Sequence, residues 1–490
     1  MSHSQDHSAR SDSLGPSDRP NVDQKKKLAK ELVKAVKRLD AAQAARFTWN
    51  HPKFRGKSGH DVVREGVSLT DAQHVIARES GFESWPKMTQ YLDALHAEPT
   101  GPVAIFEDAV RAIIRGDVEE LNRLLHANKE LAVMRSPRNH RATLPHYVAA
   151  NGVENEHQIV PPNAVEIARA LFAAGADAVV DATADTYGGG GGSTPLVALV
   201  TSTHPHDAGV QPDLVHAFCD AGANPNGIDN DGLPIMSALG FRYPAAAMAL
   251  CECGARIDNL PTAAGVGLVE LVRQYLDPAV QLVSKSCSFP NPGQLKFPTS
   301  TAPHPDATLQ QALVFACMGG HRDVAEMLIA EGVGVNGGPR FGIRPIHEAA
   351  YQGQLEMVEF LLAHGADPTL RDQKWESTAI GWADGGRQAT VIEHLFKQDR
   401  VDILDAVELK RYAIVEKLLT EDPTRANAPN GEGGALRFAA FHGDLKLAKL
   451  LLDAGADTNL MNENGHTAFD YATKAGHTEL AELLRPKSDS

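Results

Sequence analysis

Residues Phe341 to Asp367 read FGIRPIHEAAYQGQLEMVEFLLAHGAD. A polar turn, G-x-x-P-I-H, leads into a short apolar helix that stops at Gly353. Met357, Val358, Leu361 and Leu362 then recur at helical spacing, which predicts a second helix closed by Gly365. Two short helices and a loop have too little mutual contact to bury their own apolar faces, so the unit must stack on copies of itself. Copies are present at a fixed spacing of 33 residues: Gly320 to Gly353, Gly332 to Gly365, and Gly443 to Gly476. The expected fold is all-α, a solenoid of about ten or eleven helix pairs with nothing more strand-like than short loop hairpins.

The period and the residues at its motif positions resemble the ankyrin repeat family. Arg344, Pro345, Ile346, His347, Ala349, Ala350 and Gly353 stand where that family has T-P-L-H-x-A-A-x-x-G. The resemblance implies that His347 ties neighbouring loops by hydrogen bonds, a structural role. Two later copies, GALRFAAFHGDLKLAKLLLDAGAD from Gly434 and HTAFDYATKAGHTELAELL from His466, are read as keeping the small Ala pair and losing the Pro. Ala fits where successive helices approach closely, and Gly after a helix takes the left-handed conformation that closes it.

Composition agrees with such a stack. Hydrophobic residues make up 43% of the 490 but aromatics only 6%, so the core is built mainly from Ala, Leu and Val. The formal charge of −15 argues against a broad nucleic-acid surface and against docking on an anionic membrane. A protein partner with a basic surface is the one this charge accommodates. The five cysteines, Cys219, Cys251, Cys253, Cys287 and Cys317, are odd in number and lie mostly in helical repeat positions, which predicts reduced thiols in a cytoplasmic protein. The N-terminal MSHSQDHSARSDSLGPSDRP has no apolar core, and no 18-residue apolar run occurs, so neither an export signal nor a membrane span is expected.

In chain order, residues 1–22 are Ser-, Asp- and Pro-rich and are expected to be a disordered tail. Residues 23–98 form a helical leader or cap. Its first helix is expected over Asp23 to Phe47, with Leu28, Leu32, Val36 and Leu39 on one side and Lys25, Lys26, Lys27, Lys30, Lys34 and Lys37 solvated on the other. Within LTDAQHVIARESGFESWPKMTQYLDAL, Leu69 to Leu95, Thr70 is the expected cap of one helix and Ser84 of the next, with Val75, Ile76, Met88, Tyr91, Leu92 and Leu95 inward. This hairpin resembles the leader that precedes ankyrin repeats in many bacterial proteins. Irregular repeats with insertions occupy 103–277, an inserted loop 278–305, and regular repeats 306–486.

Several groupings have the content of chemistry without its pattern. The glycine run Gly188 to Gly192 lacks the preceding strand and the following Gly-Lys-Ser/Thr of a phosphate loop. His204, His206 and Asp207 are ligand-like residues read as lying on a loop, without a helical His pair or a second cluster. Cys251 and Cys253, two apart on a helix, face different sides of it. His146, Asn151, Glu154 and Glu156 lack a nucleophile motif and suit ties between repeats. The expectation is therefore no metal, no cofactor and no catalysis.

The function expected is a non-catalytic scaffold, a monomer that binds a protein partner on the concave face of the stack. By resemblance, the variable contact positions are Arg340 and Phe341, Tyr351 and Gln352, Lys374 and Trp375, Phe441 and His442, and Glu463 and Asn464. Aromatic and Arg side chains at such positions are what interface hot spots are made of; the competing reading is that Trp375 and Phe441 pack on adjacent repeats. Two alternatives are an enzyme or metal site in the insertion-bearing repeats 143–226, and a DNA-binding regulator using the hairpin 69–95.

Overall fold

The computed structural model describes residues 21–185, 192–277, 305–339, 341–428, 434–462 and 465–485. Arg340, Glu463, Asn464, all but the last residue of the glycine run, and residues 278–304 of the inserted loop lie outside these. The described residues form two compact units, one up to residue 277 and one from 305. Among them every regular element is helical, and extended chain pairs only as the isolated bridges Arg135 with Thr143 and Ala184 with Ser193. No helix among the described residues is long and apolar enough to cross a membrane.

The first unit opens with five helices: Val22–Lys37, Ala41–Asn50, Gly59–Glu65, Leu69–Glu79 and Trp85–Ala97. The single helix expected over Asp23 to Phe47 is two. Leu39 takes φ 64, and the Asp40 carboxylate accepts from the Gln43 N–H to start the second. The polarity of the first helix also differs from expectation at three positions. Leu28 and Leu39 are exposed while Lys25 is buried, because Lys25 has dedicated partners: Ser80 Oγ at 3.0 Å and both oxygens of Glu156 at 2.8 and 2.9 Å. Ser68, in a capping box with Asp71, starts the fourth helix in place of Thr70. Ala29, Leu32, Val36, Phe47, Val75, Met88, Leu92 and Leu95 share one apolar core.

Five helix pairs follow, from Pro102–Arg115 with Val118–Ala127 to Leu260–Gly265 with Val269–Leu276. The second unit contains six pairs, from Pro305–Gly319 with Arg322–Ala330 to Ala468–Ala475 with Thr478–Leu483. In both units first helices of successive pairs pack side by side, as Pro305–Gly319 does on Pro345–Tyr351, Pro345–Tyr351 on Ala379–Gly385, and Gly434–His442 on Ala468–Ala475. Fully buried Ala349, Ala350, Ala383, Ala406, Ala439, Ala440 and Ala472 lie where those helices meet, since a larger side chain would hold them apart. Gly353 shows how tight the loops are. It has φ +73, and a Cβ there would lie 2.2 Å from the Gln388 amide oxygen of the next repeat, whose Nε2 donates to the Tyr351 carbonyl.

Candidate protein-binding face

Asp372 organises the loop tip that carries two of the expected contact residues. Its carboxylate, almost fully buried, accepts from the backbone N–H groups of Lys374 at 2.8 Å, Trp375 at 2.7 Å and Ser377 at 3.1 Å, and from Trp382 Nε1 at 2.9 Å. The tip is thereby fixed to the helix Ala379–Gly385 beneath it. Trp375 stays 38% exposed, its ring edge-on to Trp382, and Lys374 Nζ lies 4.1 Å from the Trp375 ring centre. His347 stacks on the Trp382 ring at 5.3 Å and 10°, and Tyr351 meets Trp382 edge-on at 6.1 Å.

Phe341 stands on the neighbouring tip. It has φ 50 and is followed by Gly342 at φ 66, and its carbonyl accepts from the Gln373 N–H at 2.6 Å. The ring is 37% exposed. Arg344, where the resemblance would place Thr, donates from Nη1 to the carbonyls of Gly342 at 2.7 Å and Arg371 at 2.9 Å, pinning both tips from below. The structure thus brings Phe341, Tyr351, Lys374 and Trp375 onto one pair of adjacent repeats, and Gln352 ends the helix that holds Tyr351. Phe441 and His442 belong to a second group: Phe441, 52% exposed, meets His442 at 5.1 Å and Tyr471 at 6.5 Å.

The role expected of His347 is the one it has. Its Nδ1 accepts from the Arg344 N–H at 3.2 Å and its Nε2 donates to the Leu370 carbonyl in the next loop at 2.9 Å. Burial brings its pKa down to about 4, so it is a neutral tie. His146 repeats the pattern with Thr143 and the Ser193 carbonyl, also with its pKa brought down to about 4 by burial. Asn151 donates to the Ala198 carbonyl and to Thr201 Oγ1. An unforeseen set of ties comes from asparagines at the repeat ends. Asn336 bonds Gly365 and Asp367, Asn427 bonds Gly455 and Asp457, and Asn226 bonds Arg256. Asn226 and Asn336 each stand four residues after a helix-ending glycine, Gly222 and Gly332, and that spacing is the sequence signal that marks them.

The other expected groupings resolve differently. THPHDAG does not lie on a loop: Thr203–Asp207 is a short helix with Pro205 buried, His204 bonds Gln158, and His206 packs on Tyr243. Among the described residues no group of three or more His, Cys, Asp and Glu side chains is placed to hold a metal ion. Glu154 sits in a buried ionic node that the sequence did not reveal, and Glu156, its side chain 37% exposed, pairs with Lys25 at its edge. Arg138 pairs with Glu107 through Nη1, and its Nε lies 2.7 Å from Glu154 Oε1, an ion pair without hydrogen-bond alignment. His140 Nε2 and His157 Nδ1 reach the two Glu154 oxygens at 2.8 and 3.0 Å. Burial alone would raise the Glu154 pKa, yet the Arg138 guanidinium and the two imidazoles hold it well below the usual carboxylate range.

That node fastens the leader to the repeats. Phe82 and Tyr91 pack on the Arg138 guanidinium at 5.7 and 5.2 Å, Tyr91 Oη donates to Glu107, and the Gly81 carbonyl accepts from the Asn139 N–H. A Cβ on Gly81, at φ +81, would come within 2.9 Å of Arg138 Cδ. The G-F-x-S-W-P string is therefore a docking element. Lys87, on the helix that a DNA reader would place in the groove, is paired with Glu83.

A family model of ankyrin repeats, three copies long, matches residues 268–372 and 403–490. The chain carries ankyrin repeats. Curated relatives include the ankyrin repeat and KH domain-containing protein mask-1 of Caenorhabditis elegans, 29% identical over 260 residues, and a mitochondrial disaggregase of Homo sapiens, 30% identical over 187. These alignments cover 51% and 36% of this chain but only 9% and 26% of the relatives' own length. A solved chain from the complex of the Bdellovibrio bacteriovorus predatory endopeptidase Bd0816 with the immunity protein Bd3460 matches at 26% identity and TM-score 0.28, over 36% of this chain and 97% of that one. The two ankyrin segments flank 373–402, the repeat that contains Trp375 and Trp382. Repeats of this kind mark a protein-interaction domain.

Proposed function

We propose that this chain is a non-catalytic scaffold that binds a protein partner through the loop tips and first helices of its second unit, with Phe341, Lys374 and Trp375 at the centre of the contact. The observation that carries this reading is the immobilised, partly exposed Trp375. Asp372 fixes its backbone and Trp382 supports its ring, so little side-chain entropy remains to be lost when a partner covers it. Tyr351 and His347 complete the platform under it. A partner with an apolar pocket and basic side chains around it suits both the aromatic anchors and the formal charge of −15. Glu348, Asp372 and Asp405 belong to the same run of first helices and loops but are buried, so they shape the platform instead of touching a partner. The test is a photoreactive benzoyl-phenylalanine placed at 375 in the whole chain. Protein crosslinks that are absent when the same residue replaces Leu483 support the face, and equal crosslinking from both positions contradicts it.

A further inference from the structure

The leader carries a basic face. Between Val22 and Lys57 stand eleven Lys and Arg residues against three Asp and Glu, a formal +8 inside a chain of −15, so all other residues together come to −23. Six of the cations share the exposed side of the helix Val22–Lys37 and its cap: Lys26, Lys30, Lys34 and Lys37, at intervals of four, four and three, with Lys27 and Arg38 beside them. The six extend over about 18 Å at a rise of about 1.5 Å per residue. The opposite side is already committed. Ala29, Leu32 and Val36 are buried in the leader core, the helix packs on Leu69–Glu79, and Lys25 is held by Ser80 and Glu156.

Few of these exposed charges are used within the chain. Lys26 pairs with Asp23 at 3.0 Å and Lys34 with Glu31 at 2.8 Å, both on the surface, and pairs of this kind open readily to a competing anion. Lys27, Lys30, Lys37 and Arg38 make no side-chain ion pair among the described residues. The make-up of the face selects the kind of anion. Lysine is depleted at protein interfaces, whose centres need apolar area, and Leu28, the exposed apolar residue of this helix, stands about 200° around it from Lys26 and off the row. A helix lying on a membrane would turn its apolar side to lipid, and here that side is buried. Contacts from Lys and Arg to phosphates need no apolar area.

We propose that this face, independently of the protein-binding face of the second unit, holds the phosphate backbone of double-stranded DNA without reading its sequence. A duplex carries one charge per about 1.7 Å of axis, so a row of about 18 Å lies against about ten phosphates, enough for each of the six cations to meet one. Reading a base needs donors and acceptors carried into a groove, whereas a helix fixed along one side by the leader core offers cations from the other. Sites for duplex RNA span about 16 base pairs and two minor grooves, longer than this row. The −23 of the remaining chain repels the same duplex, which confines the contact to the leader and makes it strongly dependent on salt.

The test is fluorescence anisotropy of a labelled DNA duplex titrated with the whole chain at several potassium chloride concentrations, beside a variant that combines Lys27→Gln, Lys30→Gln, Lys37→Gln and Arg38→Gln. The parent is expected to bind two duplexes of unrelated sequence alike, with the logarithm of its affinity falling against the logarithm of salt at a slope of about −5, the sum of six phosphate contacts at about 0.9 each. The variant, melting as the parent does, keeps two of the six cations, so its slope shrinks to about −2 and its affinity at low salt drops by about tenfold or more. A parent that leaves the duplex free at low salt, a variant with the parent's slope, or tighter binding to polyglutamate, to an RNA duplex of the same sequence or to phosphatidylserine vesicles would overturn the proposal.

Discussion

Trp375 stands edge-on to Trp382, their ring centres 5.1 Å apart at 80°, with Trp375 38% exposed and Trp382 only 4%. The two tryptophans therefore have different jobs, one presented and one supporting. Trp382→Ala should cost roughly 3–5 kcal/mol, because it empties a buried site under three aromatic neighbours and leaves Asp372 short of a donor. Trp375→Ala should cost roughly 1 kcal/mol or less. Chemical denaturation of the two variants side by side checks the order; equal losses would mean that Trp375 is a packing residue.

The leader depends on a buried ion pair. Arg138→Met leaves Glu107 and Glu154 facing each other without their guanidinium, which should cost roughly 3–5 kcal/mol locally. The visible result should be faster proteolysis in the linker near residues 98–101, since Phe82 and Tyr91 lose the group they pack on. Unchanged cleavage there would mean that the apolar contacts alone hold the leader.

The same node predicts a pH dependence. Glu107, Glu154 and Glu156 face Arg138 and Lys25, and His140 Nδ1 accepts the Ala142 N–H. His157 as an imidazolium balances the count. Burial opposes its charge, but the hydrogen bond and charge of Glu154, with Glu156, raise its pKa. A raised folded pKa gives stability that is complete below the unfolded value of about 6.5 and is lost as pH rises through the folded value. Melting temperature should therefore fall from pH 6 to 9, and His157→Gln should lower the melting temperature at pH 6 and flatten that fall. An identical slope in the variant would remove His157 from the balance.

Asp405 carries a second pH effect. Burial first, then the Asp402 charge, push its pKa up to about 7 despite the Thr378 hydrogen bond. The folded state holds the proton that an unfolded Asp releases near about 3.9, so this contribution declines as pH rises from there through about 7. Asp405→Asn, which keeps a partner for Thr378, should stabilise the second unit by on the order of 2 kcal/mol at pH 8 and by little at pH 4. Destabilisation at both values would contradict the assignment.

What was legible in the sequence was whatever repeats. The 33-residue spacing of glycines, the Ala positions and His347 each recur because every unit solves the same packing problem, and the structure has them in those roles. Trp382 and Asp372 are not legible in the sequence because their repeat has lost the motif that would index them. Arg138 was illegible for a different reason: its partners Phe82 and Tyr91 come from a non-repeating leader, and no periodicity connects them. Charge pattern alone places Lys25 on a solvated face, because it cannot show that Glu156, 131 residues away, pairs with it.

The central claim is that the aromatic face of the second unit is where a partner binds. The direct measurement is quantitative affinity capture by the whole chain, by Phe341→Ala with Trp375→Ala, and by Leu483→Ala as an exposed control in the same unit. If the face binds, proteins retained by the parent and the control are lost at least about 30-fold by the double variant, the equivalent of about 2 kcal/mol, while all three melt alike. A double variant that melts normally and retains the same proteins at the same level would place the binding surface elsewhere.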